Sequence, residues 1–285
     1  MRDSLLPMLR CPRCKSALTA RTDALTCTSC KTAYGVRDGV PSLVAPESPL
    51  FASIAREQAA ASPTTFGTDA HRQRDYWEME ETPYREVGHP VVEGFSRQRW
   101  DHLARRLDLA SIHTALDVGA GNGFSTVYAP PHMRLVATDG SWRMLSKHPG
   151  EDRVLADATA LPFADASFDL VFCWELSHHV NEPWRALQEM ARVSSRYVLF
   201  FEPNPWNVAQ AAFSVVDREH RWVLRFSRKY TLDQVRRAGL KPIRYERVGL
   251  IFPNKTPAPL FEVLKRLPFR IPVAGISQLV IAARA

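Results

Sequence analysis

Residues 116–123 read Leu-Asp-Val-Gly-Ala-Gly-Asn-Gly, and Thr-Asp-Gly follows at 138–140. An apolar run ending in an acid and a glycine turn predicts a strand that turns tightly into a helix. The second acid then marks the end of the next strand, about one βα unit later. Such units build a parallel sheet covered by helices, with its ligand crevice at the carboxyl ends of the strands. The dinucleotide fingerprint is G-x-G-x-x-G, with a ribose-binding acid about 20 residues on. Here the glycines are Gly119, Gly121 and Gly123, and position 124 is Phe124. Asp139 keeps the ribose position. Asp117 sits at the strand end, where a carboxylate repels a pyrophosphate and attracts a ligand carrying an ammonium group.

S-adenosylmethionine (SAM) has a ribose, an adenine, an α-ammonium and no phosphate. The segment resembles motif I of the class I SAM-dependent methyltransferases. The resemblance implies an α/β fold, a Rossmann-like sheet of seven strands. It also implies a cofactor held by Asp117, Gly119, Ala120, Gly121, Gly123, Asp139 and Gly140. Read alone, a glycine turn is only a tight strand–helix connection; the two acids make it a ligand site.

Farther on, Val154–Ala156 suits a short buried strand, and Asp157-Ala158 stands at its end, where a carboxylate can accept the adenine amino group. Asp157 as a simple helix cap is the alternative. Leu161-Pro162-Phe163 through Ser167-Phe168-Asp169 leads into the apolar strand run Leu170–Trp174. This stretch is similar to the ubiquinone/menaquinone-biosynthesis type of methyltransferase. Trp174 and Glu175 end the strand and are expected at the cofactor crevice. A helix follows, with Asn181 as cap, Pro183 in the first turn, and Trp184, Leu187, Met190 and Ala191 on one apolar face. Tyr197–Phe201, Ile243–Val248 and Gln278–Ala283 read as later strands. The family resemblance, over about residues 100–285, implies that the last strand enters antiparallel.

The first 45 residues are a separate module. Cys11, Cys14, Cys27 and Cys30 form C-x2-C-x12-C-x2-C. Two such knuckles can place four thiolates around one structural Zn2+. Disulfides are disfavoured because Met1–Arg10 has no long apolar core of a secretory leader. Leu5-Leu6, Cys11-Pro12, Leu25-Thr26-Cys27, Tyr34 and Arg37–Pro41 resemble the small zinc-ribbon proteins that activate methyltransferases as separate subunits. Gly35 departs from the proline often found after that tyrosine. The resemblance implies a ribbon that docks on the catalytic domain and stabilises it. A bacterial rRNA guanine methyltransferase family also has a fused ribbon, but its fourth ligand is commonly histidine, where this chain has Cys30.

At 285 residues and 45% apolar content, the chain can build one α/β core plus a small module. A ribbon this short needs metal for stability. No apolar run approaches a membrane span, and a cytoplasmic location is expected. Residues 46–70 have linker composition, with a short helix around Ile54–Ala61. The methyltransferase domain is expected over 71–285. Lid elements are expected at 71–100, which holds Trp77, Tyr84, Phe95 and Trp100, and at the proline-rich 250–275. Trp100 is read as packing. Cys173 reads as a buried thiol. The net charge is +7, with Lys and Arg dense over 218–247. That density can guide RNA or an anionic small molecule, or be a solvated helix face with Leu232 and Val235 turned inward.

Methyl transfer from a sulfonium is an in-line displacement in which alignment supplies most of the catalysis. A base matters when the acceptor is protonated. His178 and His179, in Glu175–His179 after the fourth strand, are the candidate catalytic bases. Glu202 and Asn204 can orient substrate or serve the turn between Pro203 and Pro205. The expected function is methyl transfer to a small-molecule metabolite. An RNA base methyltransferase and a non-catalytic SAM-binding adaptor are the alternatives.

Overall fold

The structure is a computed structural model and describes residues 4–48, 50–51, 84–216 and 218–284. Trp77, most of the segment read as linker and the short helix expected around Ile54–Ala61 lie outside these residues. Four short strands come first: β1 Leu18–Arg21, β2 Ala24–Cys27, β3 Ala33–Arg37 and β4 Val40–Leu43. Helix α1 spans Pro90–Ala104 and opens on His89, whose Nδ1 accepts from the Val91 amide at 3.2 Å. Pro90 suits the first helical position because its missing N–H would have no partner there.

Then come β5 Thr114–Val118, β6 Arg134–Asp139, α2 Trp142–Ser146, β7 Arg153–Ala156, β8 Phe168–Trp174, α3 Pro183–Val193 and β9 Ser194–Pro203. Helices α4 Val208–Val216 and α5 Arg228–Arg237 precede β10 Leu240–Val248, α6 Ala258–Leu264 and β11 Ser277–Arg284. The strands form one sheet in the order β1-β2-β3-β4-β7-β6-β5-β8-β9-β11-β10. The seven from β7 to β10 are the expected Rossmann-like sheet. β11 enters antiparallel to both neighbours, as expected.

The ribbon is continuous with that sheet. β4 pairs in parallel with β7, placing Ser42 opposite Leu155 and Leu43 opposite Ala156. The ribbon also meets the Leu161-Pro162-Phe163 loop. The Arg10 amide donates to the Pro162 carbonyl at 2.8 Å, and the Ala164 amide to that of Met8 at 2.9 Å. Leu5, Leu9, Leu25 and Leu43 share one buried cluster with Phe163, Phe168 and Val154. Lys15 reaches Glu189 of α3 at 3.0 Å.

The helix expected after the glycine turn is absent as a regular element. Residues 121–129 form successive turns, with single bonds such as Thr126 N–H to Gly123 O at 3.2 Å. Only six residues separate Gly123 from Pro130-Pro131, and the residue before a proline is held out of the α region. Helix α3 begins one residue later than expected. Glu182 is its N-cap, without a side-chain bond, and Asn181 is exposed. Leu187, Met190 and Ala191 are buried, but Trp184 is half-buried under the Arg237 guanidinium, 4.2 Å from its ring centre. On α5, Val235 is buried and Leu232 half-buried.

Trp100 packs edge-on against Phe172 at 5.3 Å. The 250–275 segment holds α6, whose Phe261 is buried against Gly94 of α1. Cys173 is fully buried, and burial raises its thiol well above the ordinary range. No helix among the described residues is long and apolar enough to cross a membrane.

Candidate active site

A cavity of about 320 Å³ opens at the carboxyl ends of β5, β6 and β7. That is the lower part of the small-molecule range, roughly 300–1,000 Å³. Gly119, Asp139, Gly140, Asp157 and Ala158 line it. Gly119 and Gly123 have φ of +73° and +101°, a region glycine enters without a Cβ clash. The Gly119 and Ala120 amides both donate to the Thr138 carbonyl, at 2.8 and 3.0 Å, tying the turn to the end of β6.

Backbone donors fix the two acids on the wall. Asp139 accepts from the Gly121 amide and the Ser141 amide, each at 2.8 Å. Asp157 accepts from the Thr159 amide at 2.8 Å and the Thr159 hydroxyl at 2.7 Å. Its other oxygen accepts from the Ser48 hydroxyl at 2.6 Å. Leu50 lines the same cavity. The segment that leaves the ribbon, read as linker in the sequence, therefore supplies part of the wall. A polar proline-bearing stretch has no pattern that would announce this.

Ala120, Gly121, Gly123, Asp117 and Trp174 are not among the lining residues. The Trp174 ring lies in a core cluster. Side chains alternate along a strand, so Trp174 shares the face of Leu170 and Phe172. It is packed against Phe201 at 5.4 Å and Trp100 at 6.0 Å.

Asp117 is fully buried behind the wall. Its Oδ2 accepts from the Ser125 hydroxyl and from the Thr126 hydroxyl. Its Oδ1 is buried with no hydrogen-bond partner. Burial pushes this carboxyl up to about 7 despite the two hydroxyl donors. A buried carboxylate oxygen lacking a donor, next to Val118 and Gly119 of the wall, fits a ligand carrying an ammonium group. His148 extends the network. Its Nδ1 accepts from the Gly150 amide at 2.9 Å, so Nε2 bears the hydrogen and donates to Thr126 Oγ1 at 3.0 Å. Burial, reinforced by Arg153, lowers its imidazole to about 4.

His178 and His179 lie in a 3-10 turn, Ser177–His179, beyond β8. Glu202, at the end of β9, is fully buried and accepts from the Ser177 amide at 2.6 Å and from His178 Nδ1 at 2.7 Å. With Glu202 ionised, His178 carries its hydrogen on Nδ1 and a lone pair on Nε2. That Nε2 is buried without a hydrogen-bond partner. Burial and the nearby imidazoles lower both histidines well below their usual range, so both are neutral. Asn204 serves the turn: its side-chain amide donates to Gly275 O at 2.7 Å.

Arg99 and His220 had no sequence signal, whereas Glu175 is the residue expected at the end of its strand. Glu175 holds a positive φ of +59°, a costly conformation for a residue with a side chain. Its carboxylate meets Arg99 at 2.5 Å. The Arg99 guanidinium, 2% exposed, lies 4.1 Å from the Phe95 ring centre and 4.3 Å from that of Phe201. His220 comes beside His178 and His179 from a segment forty residues away in the chain.

In the ribbon, Cys11 and Cys30 Sγ are 3.6 Å apart and Cys14 and Cys27 Sγ 3.4 Å. All four sulfurs lie within 4.8 Å of one another. A disulfide needs about 2.05 Å, whereas a tetrahedral Zn–S bond of about 2.3 Å implies sulfurs about 3.8 Å apart. The cysteine set therefore fits the metal.

Residues 116–201 match the family model described as a methyltransferase domain, and residues 2–39 the one described as Trm112p-like protein. The chain is similar to a demethylmenaquinone methyltransferase of Renibacterium salmoninarum, 39% identical over 122 residues, 39% of this chain and 50% of that one. A 27-O-demethylrifamycin SV methyltransferase of Amycolatopsis mediterranei is 30% identical over 130 residues, 41% of this chain and 45% of that one. The chain thus spans about half the length of the curated relatives it matches. A solved SAM-dependent methyltransferase of Thermotoga maritima, titled a possible histamine N-methyltransferase, has the same fold. Its TM-score is 0.52 at 19% identity, covering 68% of this chain and 92% of that one. Residues 116–201 thus carry the match to the methyltransferase-domain family, and the Trm112p-like match stands ahead of it.

Proposed function

We propose that the protein transfers a methyl group from SAM to a small organic acceptor, with structural zinc in the ribbon. The observation that supports it most is the cavity wall, where Asp139 and Asp157 are held by backbone donors at adjacent strand ends. When bound, SAM supplies a methyl group on a positively charged sulfur. In this reading Asp139 accepts from the ribose hydroxyls, Asp157 from the adenine amino group, and Asp117 balances the ammonium. Gly119 lets the backbone come close to the ligand. The relatives named for demethylmenaquinone and 27-O-demethylrifamycin SV favour a small organic acceptor. For a hydroxyl acceptor, the lone pair on His178 Nε2 is the group available to take the proton. Glu202 fixes that tautomer and steadies the cation that forms.

Incubation with methyl-labelled SAM and fractionated extract tests the reading. Label is expected in the organic-extractable fraction, and its transfer is lost in Asp139→Ala. Label confined to RNA overturns the small-molecule acceptor. Binding of SAM without transfer to any fraction supports the adaptor instead.

A further inference from the structure

We propose that His178, His179 and His220 form a binding site for a divalent transition-metal cation of the Zn2+ type, separate from the cysteine set. One ligand atom from each of the three imidazoles lies within 4.8 Å of the others. The rings of His178 and His179 stand 3.9 Å apart, and His220 lies 5.7 and 5.8 Å from them. His178 has its Nε2 buried without a hydrogen bond while its Nδ1 lies 2.7 Å from the Glu202 carboxyl. That is the carboxylate–histidine arrangement that fixes the tautomer of a metal-ligating imidazole. Neutral imidazole is the ligand form such a cation needs.

Three protein ligands leave a fourth position for water or an acceptor oxygen, as in catalytic zinc sites; closed structural sites have four. The place suits this. Leu176 and Val180, on either side of the histidine pair, line the cofactor cavity. Metal occupancy and use of His178 as a general base exclude each other, because both require the same lone pair. The cation site itself does not depend on methyl transfer.

Cobalt titration of the full chain, with zinc already in the ribbon, tests the proposal. Wild type is expected to take up one further Co2+ per chain. Its spectrum should show weak d–d bands of nitrogen and oxygen ligands and no intense thiolate charge-transfer band. His220→Ala should lose this uptake, and Glu202→Gln should weaken it by about 10–100-fold. The wild-type titration stands even if a variant fails to fold. No further uptake by wild type, or a spectrum of thiolate ligands alone, overturns the proposal. Unchanged uptake in a folded His220→Ala protein overturns it equally.

Discussion

Asp117 has one oxygen committed to two hydroxyls and the other without a donor, in a place that holds its carboxyl at about 7. If that oxygen meets the SAM ammonium, binding must expel a proton whenever the pH is below about 7. Affinity should then fall about tenfold per pH unit below that point. Asp117→Asn should bind SAM more weakly, and with no such slope between pH 5.5 and 7, by calorimetry. An equal slope in the variant removes Asp117 from the site. His148 gives a stability counterpart. In the unfolded chain its imidazole takes a proton near 6.5, but the folded site refuses it down to about 4. Its contribution is therefore present at neutral pH and lost as the pH falls from about 6.5 to about 4, by up to about 3 kcal/mol. Denaturant unfolding of wild type and His148→Gln should show the wild type losing ground to the variant over that window. A constant difference between them contradicts the assignment.

Among the elements, the expected docking of ribbon on domain takes the form of a strand pairing that had no sequence signal. β4 extends the sheet at β7, and Phe163 of the Leu-Pro-Phe loop is fully buried, edge-on to Phe168 at 5.1 Å. Phe163→Ala should cost about 3–5 kcal/mol in denaturant unfolding. A cost below about 1 kcal/mol would show that this packing is dispensable. The sheet strands were legible because burial imposes a pattern: Leu170–Trp174 is apolar throughout, as a central parallel strand requires. The cysteine knuckles and the acids at 139 and 157 were legible because their chemistry is local in sequence. The helix after Gly123 was lost to two prolines. Ser48 and Leu50 reach the cavity wall, Arg99 reaches Glu175 and His220 reaches the histidine pair by long-range contact, which no local pattern encodes.

At the scale of the molecule, ribbon and methyltransferase domain share one apolar cluster, so the ribbon's buried face is completed by the domain. With zinc on the cysteine set, thermal unfolding should show a single transition, and a strong chelator should lower its midpoint for the whole chain. Two separate transitions, with only the smaller one sensitive to chelator, would contradict the shared core. In the proposed function the cavity wall at the ends of β5 to β7 is the methyl-donor site. Calorimetric titration of SAM into wild type and Asp139→Ala, each checked for folding, measures that directly. Saturable binding at one site per chain is predicted, weakened about 10–100-fold in the variant through loss of a charged hydrogen-bond acceptor. No binding to wild type, or equal affinity in both proteins, would contradict it.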